Sequence, residues 1–572
     1  MDDTVSSLPV PAAGPDPGGS ARGRRRRGLR VVLGALAAVV IVGVPVGTAL
    51  FMGLARGTGD VVDRMVPNDA DVYATLLLDP SLSQKRNIQG LLSHLPALHT
   101  QNDLQSKIDQ GMDLALKPEG LSFGTDVRPW LGTQVAVALR LGDGTPTAVI
   151  IASKDDARAA ATLARIRTTD AGRKDRWSER QHGGVAVSVG TPAAGGDGTP
   201  IAYAYVDHAA VVGNSASMIE AVIDTDQGRR PPLRSSAAYT ATIQRLPSDR
   251  VALAYASGPG VTGAIRGALS GGGLLEPGLL RALDQGAGVF RSAGLAVTAQ
   301  PDGLATDVAV VTDTSRLTPA ERSALQASTT PNRALDWVPA DAAGLLAVGG
   351  LHDSLQSLLQ GVASGARATG LDLSGPLHDL GLSDPHGVLS HLTGDLALEV
   401  RAGGASTIPG GALLVGTDDA AAVRSFLDQL VGGFAALAPA HTETYRGAVI
   451  TSLAIPGLSG AGFAPAYAVS DGMAVLGSGP AEVRAVLDAH ASGARLTSTP
   501  RFTAGGGWSV ADPVLYLDLD RIRAAVVTAL PDDLKHSYDT DLRPDLEHLH
   551  GLRITAQGSA DRVTERIFLA AG

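Results

Sequence analysis

Three stretches of this sequence hold residue types at spacings that could do chemistry. Gly258-Pro259-Gly260-Val261-Thr262-Gly263 fits Gly-x-Gly-x-x-Gly, follows the apolar run VALAYAS and precedes AIRGALS, with Asp284 placed 21 residues further on. In a dinucleotide site such glycines let backbone approach a pyrophosphate, and the later acid binds the ribose. Here LLRALDQGAG around Asp284 reads as helix rather than strand end, and the chain carries 70 glycines, so a glycine turn is the expectation. The densest polar stretch is SYDTDLRPDLEHLH (537–550), with Asp539, Asp541, Asp545, Glu547, His548 and His550. A calcium loop needs an oxygen ligand at its fifth position and glycine at its sixth. Counted from Asp539 these are Arg543 and Pro544, which excludes that loop. His548 and His550 would share a face only on a strand, and a solvated polar segment is expected. The third candidate is the pair Asp155-Asp156 with its counterpart Asp418-Asp419. Each follows a strand-like run and precedes a helical one, where acids cap the helix and meet its dipole.

Nucleophilic catalysis finds no support. There is no cysteine, no His-Glu-x-x-His pair and no Ser-x-x-Lys. The expectation is therefore no catalytic, cofactor-binding or metal-binding residue, no cofactor, and a protein that is not an enzyme. A glycosidase needs only two carboxylates at the right separation. An envelope hydrolase using paired carboxylates is accordingly the alternative function.

The elements that would position such residues occur twice. VPNDADVYATLLLDP (66–80) corresponds to VPADAAGLLAVGGLH (338–352), and IIASKDDA (150–157) to LLVGTDDA (413–420). AYAYVDHAAVVGNSASMIEAVID (202–224) corresponds to AYAVSDGMAVLGSGPAEVRAVLD (466–488), with ten identities in 23 positions. SDRVALAY (248–255) faces ADPVLYLD (511–518), and GLAVTAQ (294–300) faces GLRITAQ (551–557). Five blocks in one order at nearly constant offset mark an internal duplication. In the repeated unit, runs such as TQVAVALR, TAVIIAS, GVAVSVG and DVAVVT of the first copy read as strands. Asp207-His208 and Asp471-Gly472 fall where two-residue hairpin turns need positive φ. Asn214 or Ser215 is placed to cap one following helix, and Gly479-Pro480 to open the other. Hairpins rather than strict βα alternation indicate antiparallel sheets and an α+β class. Thr318-Pro319-Ala320-Glu321 has the capping-box form of a connecting helix.

Composition narrows the partners. Residues 1–30 carry six arginines and three aspartates, net +3, so the remainder carries −13 to reach −10. An acidic body argues against nucleic acid or anionic lipid as its main partner. The 4% aromatic content also disfavours stacking platforms. Ala/Val/Gly-rich strands could leave room between layers for an apolar ligand such as a lipid, although small residues equally permit close packing.

Val31–Ala55 is 25 residues without a charge, preceded by Arg22, Arg24–Arg27 and Arg30 and followed by Arg56. At about 1.5 Å per residue it is long enough for a bilayer core of about 30 Å. The arginine bias predicts a cytoplasmic N-terminus and an extracytoplasmic body, with an uncleaved signal anchor preferred to a cleaved signal.

The run Val-Pro-x-Asp leading to LLLDPSLSQ (76–84), then FGTDVRPWLGTQVAVAL (123–139), then the YVDHAAVVGNSASMIEAVID block resembles the actinobacterial membrane-anchored family called domain of unknown function 3352. That resemblance implies an exported, membrane-anchored protein and brings no catalytic residue. The expected organisation is a disordered basic tail (1–28), a single transmembrane helix (29–55), a linker (56–65), repeat 1 (66–313), a connecting helix (314–335) and repeat 2 (336–572). The expected function is binding or scaffolding in the cell envelope, with the membrane as one partner and a lipid or envelope protein as another.

Overall fold

Short apolar runs closed by Gly, Asp and Asn favour hairpins, and every strand pairing among the described residues is antiparallel. The computed structural model describes residues 60–93, 112–113, 116, 120–170, 172–193, 199–263, 288–316, 330–349, 387–402, 409–433, 438–455, 463–559 and 562–572. Its first half contains β1 (Val72–Leu77), β2 (Leu131–Leu139), β3 (Thr147–Ser153), β4 (Asp175–His182), β5 (Val185–Pro192), β6 (Ile201–Val206), β7 (Ala209–Gly213), β8 (Ala252–Ser257), β9 (Phe290–Gln300) and β10 (Gly303–Thr312). The second half repeats the series as β11 (Gly344–Val348), β12 (Leu392–Arg401), β13 (Gly410–Thr417), β14 (Ala440–Tyr445), β15 (Ala448–Leu453), β16 (Ala466–Ser470), β17 (Met473–Gly477), β18 (Val514–Asp518), β19 (Leu549–Ser559) and β20 (Arg562–Ala571).

The pairings run β4-β5-β6-β7-β3-β2-β1-β8-β9-β10 and then, in mirror order, β20-β19-β18-β11-β12-β13-β17-β16-β15-β14. The two sheets are joined strand to strand at β10 and β20. That ladder runs from Gly303 opposite Ala570 to Val311 opposite Arg562 and is centred on Asp307 opposite Arg566. Gln300 with Gly303, and Ser559 with Arg562, are the last pairs of the flanking hairpins, so Asp307 and Arg566 hold equivalent places. The junction is thus isologous, as in a twofold dimer. A true dimer would set this residue against itself. Duplication has let the two positions diverge into an ion pair, with Arg566 Nε 2.7 Å and Nη2 3.1 Å from the Asp307 carboxylate.

Helices cover both faces. α1 (Leu82–Ser93) and α2 (Asp156–Ile166) lie on one face of the first half, where Leu163 and Ile166 meet Tyr203 and Ile88 meets Val297. α3 (Ala216–Asp226) and α4 (Ala237–Ile243) lie on the other, with Met218, Ile219 and Val222 against Ala136, Ala148 and Ala204. The second half places α5 (Ala420–Gly433) on Tyr467 and Val469, and α6 (Pro480–Ser492) on Ala412 and Leu414. Alanine-rich strands therefore bring helices close rather than leaving room between layers. α7 (Pro500–Thr503) stands where α4 stands in the first half, and α8 (Leu519–Ala529) follows β18.

The expected fold class needs correction. It set a single N-terminal transmembrane helix before two tandem units. Among the described residues no helix is long and apolar enough to cross a membrane. The longest, α5, has 14 residues, short of the roughly 20 that a span requires. Val31–Ala55 lies outside the described residues, as do the tail 1–28 and Thr318-Pro319-Ala320-Glu321. Nor are the halves two separate sheets, because the β10–β20 ladder makes them one sheet of 20 strands.

Local readings can be checked directly. Asp207 and His208 adopt φ of 34° and 61°, and Asp471 and Gly472 adopt 46° and 73°, the two-residue turn with both positions left-handed. Asp155 accepts from Arg158 N at 3.1 Å, and Asp419 from Ala422 N at 2.9 Å, so both acids cap helices. Ser215 caps nothing with its side chain, and Asn214 instead accepts from Thr147 N at 2.8 Å across to β3.

Candidate functional site

The glycine motif is not a phosphate cradle. Residues 258–263 are helical immediately after β8, itself flanked by antiparallel neighbours. A Cβ on Gly258 would lie 2.3 Å from Phe290 O, and one on Gly260 would lie 2.3 Å from Asp71 O. Both glycines exist for close approach to protein backbone. Asp284 lies outside the described residues. Gly258, Pro259, Thr262 and Gly263 line an apolar hollow of about 570 Å³ with Leu141 and Phe290.

The 537–550 segment is helical up to Leu546, with Arg543 bridging Asp539 and Glu547 along one side. His548 and His550 do not converge on a common point. His550 Nδ1 meets Asp520 Oδ2 at 3.1 Å and its Nε2 meets Gly572 O at 2.9 Å. Among the described residues no group of three or more histidines or acids could hold a metal ion.

A larger hollow, about 740 Å³, opens where the halves join. One wall is the β9–β10 turn, Pro301 and Asp302. The others come from the second half: Leu496, Thr499 to Arg501 and Ala504, the end of β18 with Arg521, and the end of β20. Asp302 ties the walls, since its carboxylate accepts from Gly505 N at 3.0 Å and its carbonyl from Ala571 N at 3.0 Å.

Charge is concentrated on one side of this cleft. Asp518 is 4% exposed and takes Arg501 Nη1 at 3.1 and 3.2 Å, Arg521 Nε at 3.4 Å and the Arg521 N–H at 3.0 Å. Arg501 Nη2 reaches Asp520 at 2.8 Å, and Asp520 also pairs with Arg523 and His550. Burial works against the Arg501 charge, but Asp518 and Asp520 outweigh it and its pKa is raised. Burial, with Asp518 nearby, pushes the Tyr516 hydroxyl up to about 12.

The sister half shows what this arrangement replaces. Tyr73 of β1 faces Tyr255 and Ala138, while Leu345 of β11 faces Tyr516 and Glu399. The Ser257 N–H donates to Asp71 O and the Asp518 N–H to Ala343 O, both at 2.8 Å. Ser257 Oγ accepts from Gly260 N as Asp518 accepts from Arg521 N. Ser236 and Thr499 cap α4 and α7 alike. Arg501, Asp518, Asp520 and Arg521 therefore stand in place of Ala238, Ser257, Pro259 and Gly260.

The first half carries its polar groups deeper. Asp60 accepts from Tyr73 OH at 2.8 Å and from Gln134 Nε2 at 2.6 Å, and Gln134 reaches Thr75 at 2.8 Å. Tyr239 packs edge-on to Tyr73 and Tyr255. Burial and the nearby Asp60 push the Asp63 carboxyl up to about 6. In the second half, Leu335, Leu345, Ala347 and Phe502 replace Asp63, Tyr73, Thr75 and Tyr239. Arg553 lies there instead, buried against Phe502, Trp508 and Phe568 and donating to Phe502 O and Gly506 O.

Of the cleft residues, sequence reading singled out His550 alone, and as a metal candidate. The available signal was the exchange of Ser257-Gly258-Pro259-Gly260 for Asp518-Leu519-Asp520-Arg521 between copies.

The fold and cleft define a duplicated α+β protein built on one antiparallel sheet, without a recognisable catalytic constellation among the described residues. The chain belongs to the family described as "Protein of unknown function (DUF3352)", which its residues 31–400 match. No curated protein matches it. Among solved structures it is similar to crystal form III of TP0453, at 12% identity over 46% of this chain and 83% of that one, with a TM-score of 0.22. Crystal form IV gives 13% identity over 44% and 81% with a TM-score of 0.21, and form I gives 11% over 45% and 80% with 0.24. Likenesses this slight carry no argument.

Proposed function

We propose that the protein is a non-enzymatic binding or scaffolding protein of the cell envelope whose ligand site is the junction cleft. The supporting observation is that both halves wall the cleft while the paired acids on its charged side, Asp518 and Asp520, are spent on neighbouring arginines. Asp518 and Asp520 are each held by two or more cationic side chains. A hydrolytic pair needs one carboxyl free to donate a proton and another free to attack or to activate water, and neither acid is placed so. A volume of 740 Å³ falls within the range of small-molecule sites. The envelope location rests on the order of an arginine cluster, an uncharged run and an acidic body in the sequence.

Native mass spectrometry of the full chain from its own host tests this reading. A reproducible added mass, lost when Ala504→Trp fills the cleft, is the expected result. A bare mass, or an added mass that Ala504→Trp leaves in place, would contradict it.

A further inference from the structure

Equivalent positions in a duplicated fold separate what folding requires from what it does not. Ala238, Ser257, Pro259 and Gly260 occupy the first-half places of Arg501, Asp518, Asp520 and Arg521, and the same strands and helices form around them. Taking charges out of water is costly, and apolar or small replacements commonly fold as well or better. A charged cluster that one copy dispenses with is thus not a folding requirement of the other.

The cluster has a sign. At this end three guanidiniums, Arg501, Arg521 and Arg523, face two carboxylates, Asp518 and Asp520, a local excess of one positive charge that Asp302 on the far wall balances over the cleft as a whole. Arg521 spends Nε on Asp518 and Nη1 on Ala340 O at 3.3 Å, and its Nη2 has no partner among the described residues. Asp302, on the far wall, is engaged by Gly505 N. Pro301, Leu496, Pro500, Ala504 and Ala570 give the lining its apolar part, beside Thr499, Tyr516 and His550. One end of the cleft can thus meet an anion through a planar guanidinium fork, and the apolar side chains lie beyond it, with Asp302 at their edge.

Resting on the reading of the cleft as a ligand site, we propose that it binds an anionic amphiphile, with a phosphate- or carboxylate-type head on Arg521 and Arg501 and a hydrocarbon portion along Pro301, Leu496, Pro500, Ala504 and Ala570. The ligand is distinguished from a free anion by its apolar part and from a neutral lipid by its head.

Calorimetric titration of the full chain with monomeric dodecyl phosphate tests this, with inorganic phosphate and dodecyl maltoside as separate arms. Saturable binding of dodecyl phosphate is expected, at least tenfold tighter than either control. Arg521→Gln, at a half-exposed position, should weaken it at least tenfold, with a thermal midpoint lowered by the lost partner of Asp518 but a protein still folded at the titration temperature. Ala504→Glu should weaken it similarly by charging the apolar wall. Absence of dodecyl phosphate binding, or binding that both variants leave unchanged, overturns the proposal. Equal affinity for dodecyl maltoside overturns the anionic head, and equal affinity for inorganic phosphate overturns the apolar portion. An added mass in native spectra that dodecyl phosphate fails to displace would remove this inference while leaving the binding-protein reading standing.

Discussion

Helix α4 in the first half and α7 in the second lie over equivalent strands, yet the space beneath them is filled differently. The first half buries hydroxyls and carboxylates in one hydrogen-bonded set around Asp60, Tyr73, Gln134 and Tyr239. The second lines that space with Leu335, Leu345 and Phe502, sets the single charge of Arg553 against Phe502, and gathers its other charges along the cleft. The backbone tolerates both. Polar groups under α4 must therefore be matched in full to be tolerated, whereas those at the cleft are set where water and a ligand can reach them.

Glu399 is the exception that sharpens this contrast. It is fully buried on β12, where the first half has Ala138, and its oxygens lack well-formed hydrogen bonds. Burial, opposed by Arg401 but aided by Asp341 and Glu482, pushes its carboxyl up to about 8. The largest effect should come from placing the same acid in the other copy. Ala138 is 0% exposed, and Arg140, tied to Asp69, stands in the place of Arg401, tied to Asp341. Ala138→Glu should still cost about 4 kcal/mol or more through overpacking and a buried acid without a hydrogen-bond partner, read from the denaturant midpoint.

A smaller effect concerns pH. The folded-state value of about 8 exceeds the ordinary value of 4.5, so the folded form binds the extra proton between them. Stability from this group is complete below pH 4.5, declines by up to about 1.4 kcal/mol per pH unit as pH rises towards 8, and is flat above. Glu399→Gln should remove that decline and be the more stable protein at pH 9. A parent and variant with parallel pH–stability curves would show that Glu399 is ionised in the fold.

Smaller still are the reciprocal hydroxyl exchanges under α4 and α7. Tyr239→Phe should cost about 1 kcal/mol by removing a hydroxyl that bonds Asp63. Phe502→Tyr should cost about 2 kcal/mol, because Leu335 stands where Asp63 would receive the proton. If both exchanges prove neutral, the two cores are not specialised.

The duplication, the hairpin turns and the capping acids were legible because each depends on local spacing. Asp155 and Asp419 cap helices as their positions after a strand required. Joining the halves into one sheet was not legible, because it depends on which edge strands meet. Neither DVAVVT nor TERIFLAA carries a mark of its partner. The match of GLAVTAQ to GLRITAQ also misplaces the register by two residues. Gly294 opposite Tyr255 corresponds to Arg553 opposite Tyr516, and a slip of two keeps every side chain on its face. That slip hid the buried Arg553. The cleft was not legible because its residues are scattered over α7, β18, α8 and the far turn, and only folding brings them together.

The central claim is that the second half's charged cluster serves binding and not folding. Replacing a buried ion pair together is far less costly than breaking it singly. Arg501→Ala with Asp518→Ser installs the first half's own residues at both places. Thermal unfolding and dodecyl phosphate titration of this double variant test the claim most directly. The expected result is a midpoint within a few degrees of the parent and at least a tenfold loss of dodecyl phosphate affinity. A variant that fails to fold, or that folds and binds as the parent does, would contradict it.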